Sequence, residues 1–168
     1  PGHGSVAGDS HHMIPVDRRQ FEQLSQQDLV PFRVMIAAGV EGIMTAHVIY
    51  PEMDEQPPTF SRYWLADVLR QQIGFNGLVF CDDLSMEGAK IAGDAPERAR
   101  AAMAAGCDVV LVCNDSDALD QVLDSFATKI ISPPGKRLDA FAPRIAVSRD
   151  FRHSVEWQLA ADSIEDIV

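Results

Sequence analysis

The stretch Gly74-Phe75-Asn76-Gly77-Leu78-Val79-Phe80-Cys81-Asp82-Asp83-Leu84-Ser85 decides how the chain is read. A glycine-bounded turn leads into four apolar residues, and two adjacent carboxylates close the run. A short, continuously apolar segment of this kind is a strand covered on both faces, as strands of parallel sheets are. Two further runs have the same character: Gly42-Ile43-Met44-Thr45-Ala46-His47 and Val109-Val110-Leu111-Val112-Cys113.

Between these runs the pattern is helical. Asp28 is placed to cap a helix that carries Pro31 in its first turn and stops at Gly39. Phe60, Trp64, Leu65, Val68, Leu69 and Ile73 form an apolar stripe at helical spacing that reads as core, with Gly74 as its stop. Asp94 and Glu97 form a capping box around Pro96 and open an alanine-rich helix that Gly106 closes. Another helix follows Ser116 through Leu119, Val122 and Leu123.

Strands that recur roughly every 30–35 residues, each followed by one helix, are right-handed βαβ units. The fold class is therefore α/β with parallel strands. Periodicity alone leaves two layouts open, a doubly wound sheet and a (β/α)8 barrel. A whole barrel takes about 250 residues, so 168 residues supply only part of one. The opening at Pro1, without an initiator methionine, reads as the later part of a longer chain. Residues 1–128 are expected to form the barrel portion, and 129–168 a linker, around Ser132-Pro133-Pro134-Gly135, with a C-terminal helix over 154–168.

Composition narrows the function classes. The chain is 46% apolar and 23% charged, the profile of a core-forming globular protein. Its formal charge of −11 would repel a phosphate backbone, so nucleic acid is not an expected partner. No run reaches the roughly 18 apolar residues of a membrane span. Three cysteines, Cys81, Cys107 and Cys113, lie in or beside apolar runs and read as buried thiols in a reducing compartment.

In parallel α/β folds the ligand lies beyond the carboxyl ends of the strands. Those positions hold His47, Asp82-Asp83 and Asn114-Asp115, while the opening loop adds His3, Asp9, His11 and His12. Neighbouring side chains on an extended segment point to opposite sides, so only one of Asp82 and Asp83 can face a pocket while the other turns toward the following helix, and the second, Asp83, suits helix entry. Spacing leaves a catalytic carboxylate and two capping carboxylates equally open. In Asp9-Ser10-His11, the carboxylate can fix one ring nitrogen and leave the other to exchange protons. His11 and His12 are adjacent and diverge, which is not metal-ligand spacing, so no metal is expected. No phosphate-loop or dinucleotide string occurs.

Taken together, Pro1-Gly2-His3-Gly4-Ser5-Val6 with Asp9-Ser10-His11 and Pro15 resembles the acid/base loop of bacterial β-N-acetylglucosaminidases of glycoside hydrolase family 3. Met44-Thr45-Ala46-His47-Val48-Ile49-Tyr50 and Gly74 to Ala89 resemble two strand motifs of those enzymes, and Ala105 to Asn114 resembles their last barrel strand. The resemblance implies the C-terminal portion of a (β/α)8 barrel. It also implies a cytoplasmic, retaining exo-hydrolase that removes terminal β-linked N-acetylglucosamine from muropeptides during cell-wall recycling. It maps the nucleophile onto Asp82 and the acid/base onto His11 with Asp9 as its orienting partner. No cofactor is required and a monomer is expected. His47 is a candidate substrate-binding residue at the pocket rim; a packing histidine is the alternative.

Two departures stand out. Cys81 occupies a position that is Ser or Thr in the family pattern. The Lys-His-Phe that precedes Pro-Gly-His-Gly in these enzymes, and the sugar-binding side chains of the first four strands, are not in the sequence. A non-catalytic sugar- or muropeptide-binding fragment of a degenerate barrel is the alternative reading, and a plain glucosidase is disfavoured by the Asp-Ser-His loop.

Overall fold

The computed structural model describes residues 3, 5–127, 136–141 and 150–165. Two strands, β1 (Gly42–Met44) and β2 (Leu78–Phe80), pair in parallel, with Gly42 opposite Leu78 and Met44 opposite Phe80. The chain between them crosses over through a π-helix, Tyr63–Gln72, preceded by a 3₁₀ turn at Pro58–Phe60. This is the expected βαβ unit, although the stripe starting at Phe60 becomes helical only at Tyr63 and is wound more widely than an α-helix. Gly74 ends it with φ of +83°, a conformation that costs a side-chain-bearing residue strain.

The third run is extended and in register with β2 but does not complete a regular strand. Val109 bridges Phe80 in parallel, and Cys81 N–H donates to the Val109 carbonyl at 2.9 Å. Further along, Leu111 N–H donates to Cys81 Sγ at 3.0 Å and Cys113 N–H to Asp83 Oδ1 at 3.0 Å. Two ladder donors thus go to side chains, which breaks the backbone pattern.

Helix α1 covers Phe21–Gln26 and α2 covers Val30–Ala37. Leu29, not Asp28, occupies the N-cap of α2, because Asp28 is drawn into an ion pair with Arg19 at 2.8 Å. Helix α3 (Ala95–Ala105) matches its sequence signature: the Asp94 carboxylate accepts Glu97 N–H, Glu97 reaches back to Asp94 N–H, and Gly106 terminates it at φ +126°. Helix α4 (Ser116–Phe126) is capped by Asp115; Val122 is buried, whereas Leu119 and Leu123 remain exposed. Helices α5 (Lys136–Phe141) and α6 (Val155–Glu165) follow. The Ser132-Pro133-Pro134-Gly135 turn lies outside the described residues.

The main core sits between the outer face of the strands and the helices. Val79 and Cys81 pack there with Leu65, Leu69, Ala99, Ala102 and Val122. Small alanines let α3 approach closely, so a larger side chain at Ala99 or Ala102 would overpack this layer. A second cluster, Leu24, Leu29, Val48, Tyr50, Trp64 and Val68, holds the opening segment and the crossover together. Cys81 and Cys107 are buried; Cys113 is exposed, correcting the expectation of three buried thiols. Burial pushes the Cys81 thiol up to about 12, so it stays protonated. Among the described residues no helix is long and apolar enough to cross a membrane.

Candidate active site

Strand β2 ends at Phe80, and the two carboxylates follow within three residues. They divide sharply. The Asp83 carboxylate is taken up by the turn: Oδ1 accepts Ser85 N–H at 2.9 Å and Cys113 N–H at 3.0 Å, while Oδ2 accepts the Ser85 hydroxyl at 2.6 Å. Burial alone would raise its pKa, but the Ser85 and Cys113 bonds outweigh burial and hold the carboxyl below its ordinary value. Asp82 is half-buried, and its carboxylate accepts a single bond among the described residues, from Asp83 N–H at 2.9 Å. One carboxylate fastens the turn; the other is left available for chemistry.

Asp82 is held by its backbone instead. Its N–H donates to Thr45 Oγ1 at 3.1 Å, and Thr45 Oγ1 lies 2.8 Å from Thr59 Oγ1, which in turn donates to the Ala46 carbonyl at 3.4 Å. Sequence reasoning left Thr45 inside a strand and did not reach Thr59. The available signal was that Thr45 interrupts an apolar run at the end of β1.

The opening loop folds into a turn around Asp9, whose carbonyl accepts His12 N–H at 2.9 Å and Met13 N–H at 3.0 Å. The Asp9 carboxylate accepts His11 N–H at 2.9 Å and lies 2.7 Å from His11 Nδ1. The backbone bond from His11, then the ring contact, keeps the Asp9 carboxyl below its ordinary value. An ionised Asp9 requires Nδ1 to carry a proton, which leaves Nε2 as the nitrogen that can exchange one. His3 Nε2 bonds the Gly8 carbonyl, and the His12 ring stands 3.8 Å from Asp9. The loop is tied down at its far end, where Ile49 N–H donates to the Pro15 carbonyl and Asp17 N–H to the Ile49 carbonyl. Pro1, Gly2 and Gly4 lie outside the described residues.

His47 does not stand on a rim. Its side chain is fully buried, stacked on Phe60 with centroids 5.7 Å apart, and Nε2 donates to the Asp83 carbonyl at 3.1 Å. That bond places the proton on Nε2, and Nδ1 has no partner among the described residues. Burial lowers its pKa despite the neighbouring Asp82 and Asp83 charges, so the ring is neutral and packs behind the aspartate pair. A buried imidazole with its donor already used is not placed to bind substrate. Asn114, at φ +56°, and the α4 cap Asp115 complete the strand-end residues.

Among the described residues no group of three His, Cys, Asp or Glu is placed to hold a metal ion. Cavities open elsewhere: an apolar groove of about 410 Å³ between α2 and β1, and a mixed cleft of about 290 Å³ whose lining includes Leu84, Ser85, Lys90, Arg98, Val112 and Asp115. Asp82 lines neither.

With this geometry in place, the comparisons are specific. Residues 1–147 match the glycosyl hydrolase family 3 N terminal domain. The chain belongs to glycosyl hydrolase family 3. A β-hexosaminidase of Methylococcus capsulatus is 47% identical over 166 residues, covering 98% of this chain and 50% of that protein. One from Thiobacillus denitrificans is 51% identical over 156 residues, covering 89% and 44%. The crystal structure of NagZ from Neisseria gonorrhoeae in complex with N-trifluoroacetyl-D-glucosamine superposes with a TM-score of 0.77 at 38% identity, over 98% of this chain and 47% of that one. This family 3 chain spans about half the length of the relatives it matches. Its parallel strands and crossover helices are those of a partial (β/α)8 barrel, which resolves the choice between sheet layouts.

Proposed function

We propose that this chain carries the catalytic pair of a retaining exo-β-N-acetylglucosaminidase that acts on peptidoglycan fragments in cell-wall recycling. The observation that carries the reading is the unequal use of the two carboxylates: Asp83 is committed to three hydrogen bonds and Asp82 accepts one. Asp82 is the nucleophile. Its carboxylate attacks the anomeric carbon while His11, protonated at Nε2 and oriented through Nδ1 by Asp9, gives a proton to the departing glycosidic oxygen. Water then attacks the glycosyl ester on Asp82, with the His11 imidazole accepting the proton it loses. Neither step calls for a metal or an organic cofactor.

The similarity to β-hexosaminidases, and to a relative crystallised with an N-acylated glucosamine, supports a terminal N-acetylglucosamine as the sugar bound. A cytoplasmic location suits the free cysteines, since a reducing compartment keeps thiols unpaired. The test is hydrolysis of a chromogenic N-acetylglucosaminide by the complete protein. Asp82→Ala is expected to lose almost all activity while remaining folded; equal activity in both would refute the assignment. Sugar binding by an inactive wild type would favour the non-catalytic reading instead.

A further inference from the structure

We propose that Gly88 is a positioning residue for proton transfer: with no side chain at 88, the Ser10 backbone seats against the turn that follows Asp82, and this seat sets where His11 stands. The proposal rests on the reading of His11 as the acid/base.

Gly88 N–H donates to the Ser10 carbonyl at 3.2 Å. Ser10 is buried, whereas its neighbours Asp9 and His11 are exposed, so the loop is pinned at this residue and presents the dyad on either side of it. Gly88 has no positive φ, so its backbone does not demand glycine. Space does. A Cβ at this position would lie 2.8 Å from His47 Cβ, 3.3 Å from the His47 carbonyl oxygen and 3.3 Å from the Ser10 carbonyl oxygen. All three are backbone atoms or the first carbon of a side chain, so a change of rotamer relieves none of these contacts.

The two sides of the contact differ in what can yield. His47 is fully buried, and Gly88 itself and Ala89 beside it are buried as well. The loop from Asp9 to Met13 is exposed apart from Ser10 and is held mainly by its own turn. A methyl group at 88 meets the buried His47 first, so residue 88 backs away from it and takes along the N–H that seats the Ser10 carbonyl, which shifts Ser10 and the adjoining His11 while the Asp82 N–H stays on Thr45 Oγ1.

Leaving-group chemistry separates this from a general structural defect. A 2,4-dinitrophenolate departs without protonation, whereas a phenolate needs the acid. In the complete protein, Gly88→Ala is expected to lower kcat/KM for the phenyl β-N-acetylglucosaminide about 100-fold while changing that for the dinitrophenyl substrate little. Added azide, which attacks the glycosyl ester without a general base, is expected to raise kcat for the dinitrophenyl substrate in the variant, with β-glycosyl azide as product. The variant is expected to fold with a lowered melting temperature, from the crowding against His47; the split between the two substrates is what that crowding alone would not produce. Equal losses on both substrates, no loss on either, or a variant that fails to fold would each overturn the proposal, because the methyl group would then have pressed on the core or on nothing. Wild-type protein inactive on both substrates would instead refute the assignment of the site itself.

Discussion

The Asp9–His11 loop and the Asp82–Asp83 turn bring the same kinds of groups to the proposed chemistry but support them in opposite ways. The turn is set in the framework: β2 pairs with β1, Asp82 hangs from Thr45, and Asp83 ties the turn to the third extended run. The loop holds its two functional side chains in the open, bonded chiefly to each other and attached near their centre through Ser10. A nucleophile must meet one carbon at a fixed point, and rigid support favours that. A proton donor that later becomes an acceptor has to serve two oxygens in turn, and a lightly held segment suits that task.

The contrast can be broken by substitution. His11→Ala is expected to cost about 10²–10⁴-fold in kcat/KM on substrates with poor leaving groups while leaving the melting temperature unchanged, since the side chain is exposed. Steady-state kinetics beside a thermal melt checks both halves. Asp83→Ala should do the reverse in kind, destabilising the fold by about 1–3 kcal/mol as Ser85 and Cys113 N–H lose their acceptor. Urea denaturation measures this, and a neutral result would show that the turn does not depend on that carboxylate.

A smaller effect follows from His47. Its pKa is lowered in the folded protein, so unfolding lets the ring take up a proton. Its contribution to stability is complete above the unfolded value of roughly 6.5 and is lost as pH falls from there toward the folded value. Asp83, also lowered, loses its contribution only as pH falls below roughly 4. The slope of stability against pH between about 6.5 and 5 is therefore expected to flatten in His47→Gln, whose amide can still donate to the Asp83 carbonyl. The smallest expected effect is at α3, where Asp94→Ala removes the N-cap and costs about 1 kcal/mol by the same denaturation measurement.

These cases also mark what a linear reading could reach. The capping box at Asp94 and Glu97, the stop at Gly106 and the apolar runs that became β1 and β2 depend on neighbours a few residues away, and local pattern found them. Alternation along an extended chain separated Asp82 from Asp83 and gave the second to helix entry, whereas in the structure Asp83 caps no helix and instead ties the turn to Ser85 and Cys113; the catalytic reading of Asp82 came from the family pattern. The misses share a different origin. Asp28 left its cap for Arg19, Leu111 gave its N–H to a cysteine, His47 turned inward onto Phe60, and Thr59 reached Thr45 across 14 positions. Each was settled by a partner that only the folded chain brings near.

Everything proposed for the site depends on which carboxylate carries the sugar. The most direct measurement is to trap the complete protein with a fluorinated N-acetylglucosaminide that forms the glycosyl ester faster than it hydrolyses, then to map the modified peptide by mass spectrometry. One added sugar is expected, on Asp82. A sugar on Asp83, or brisk turnover of ordinary substrate by Asp82→Ala, would contradict it.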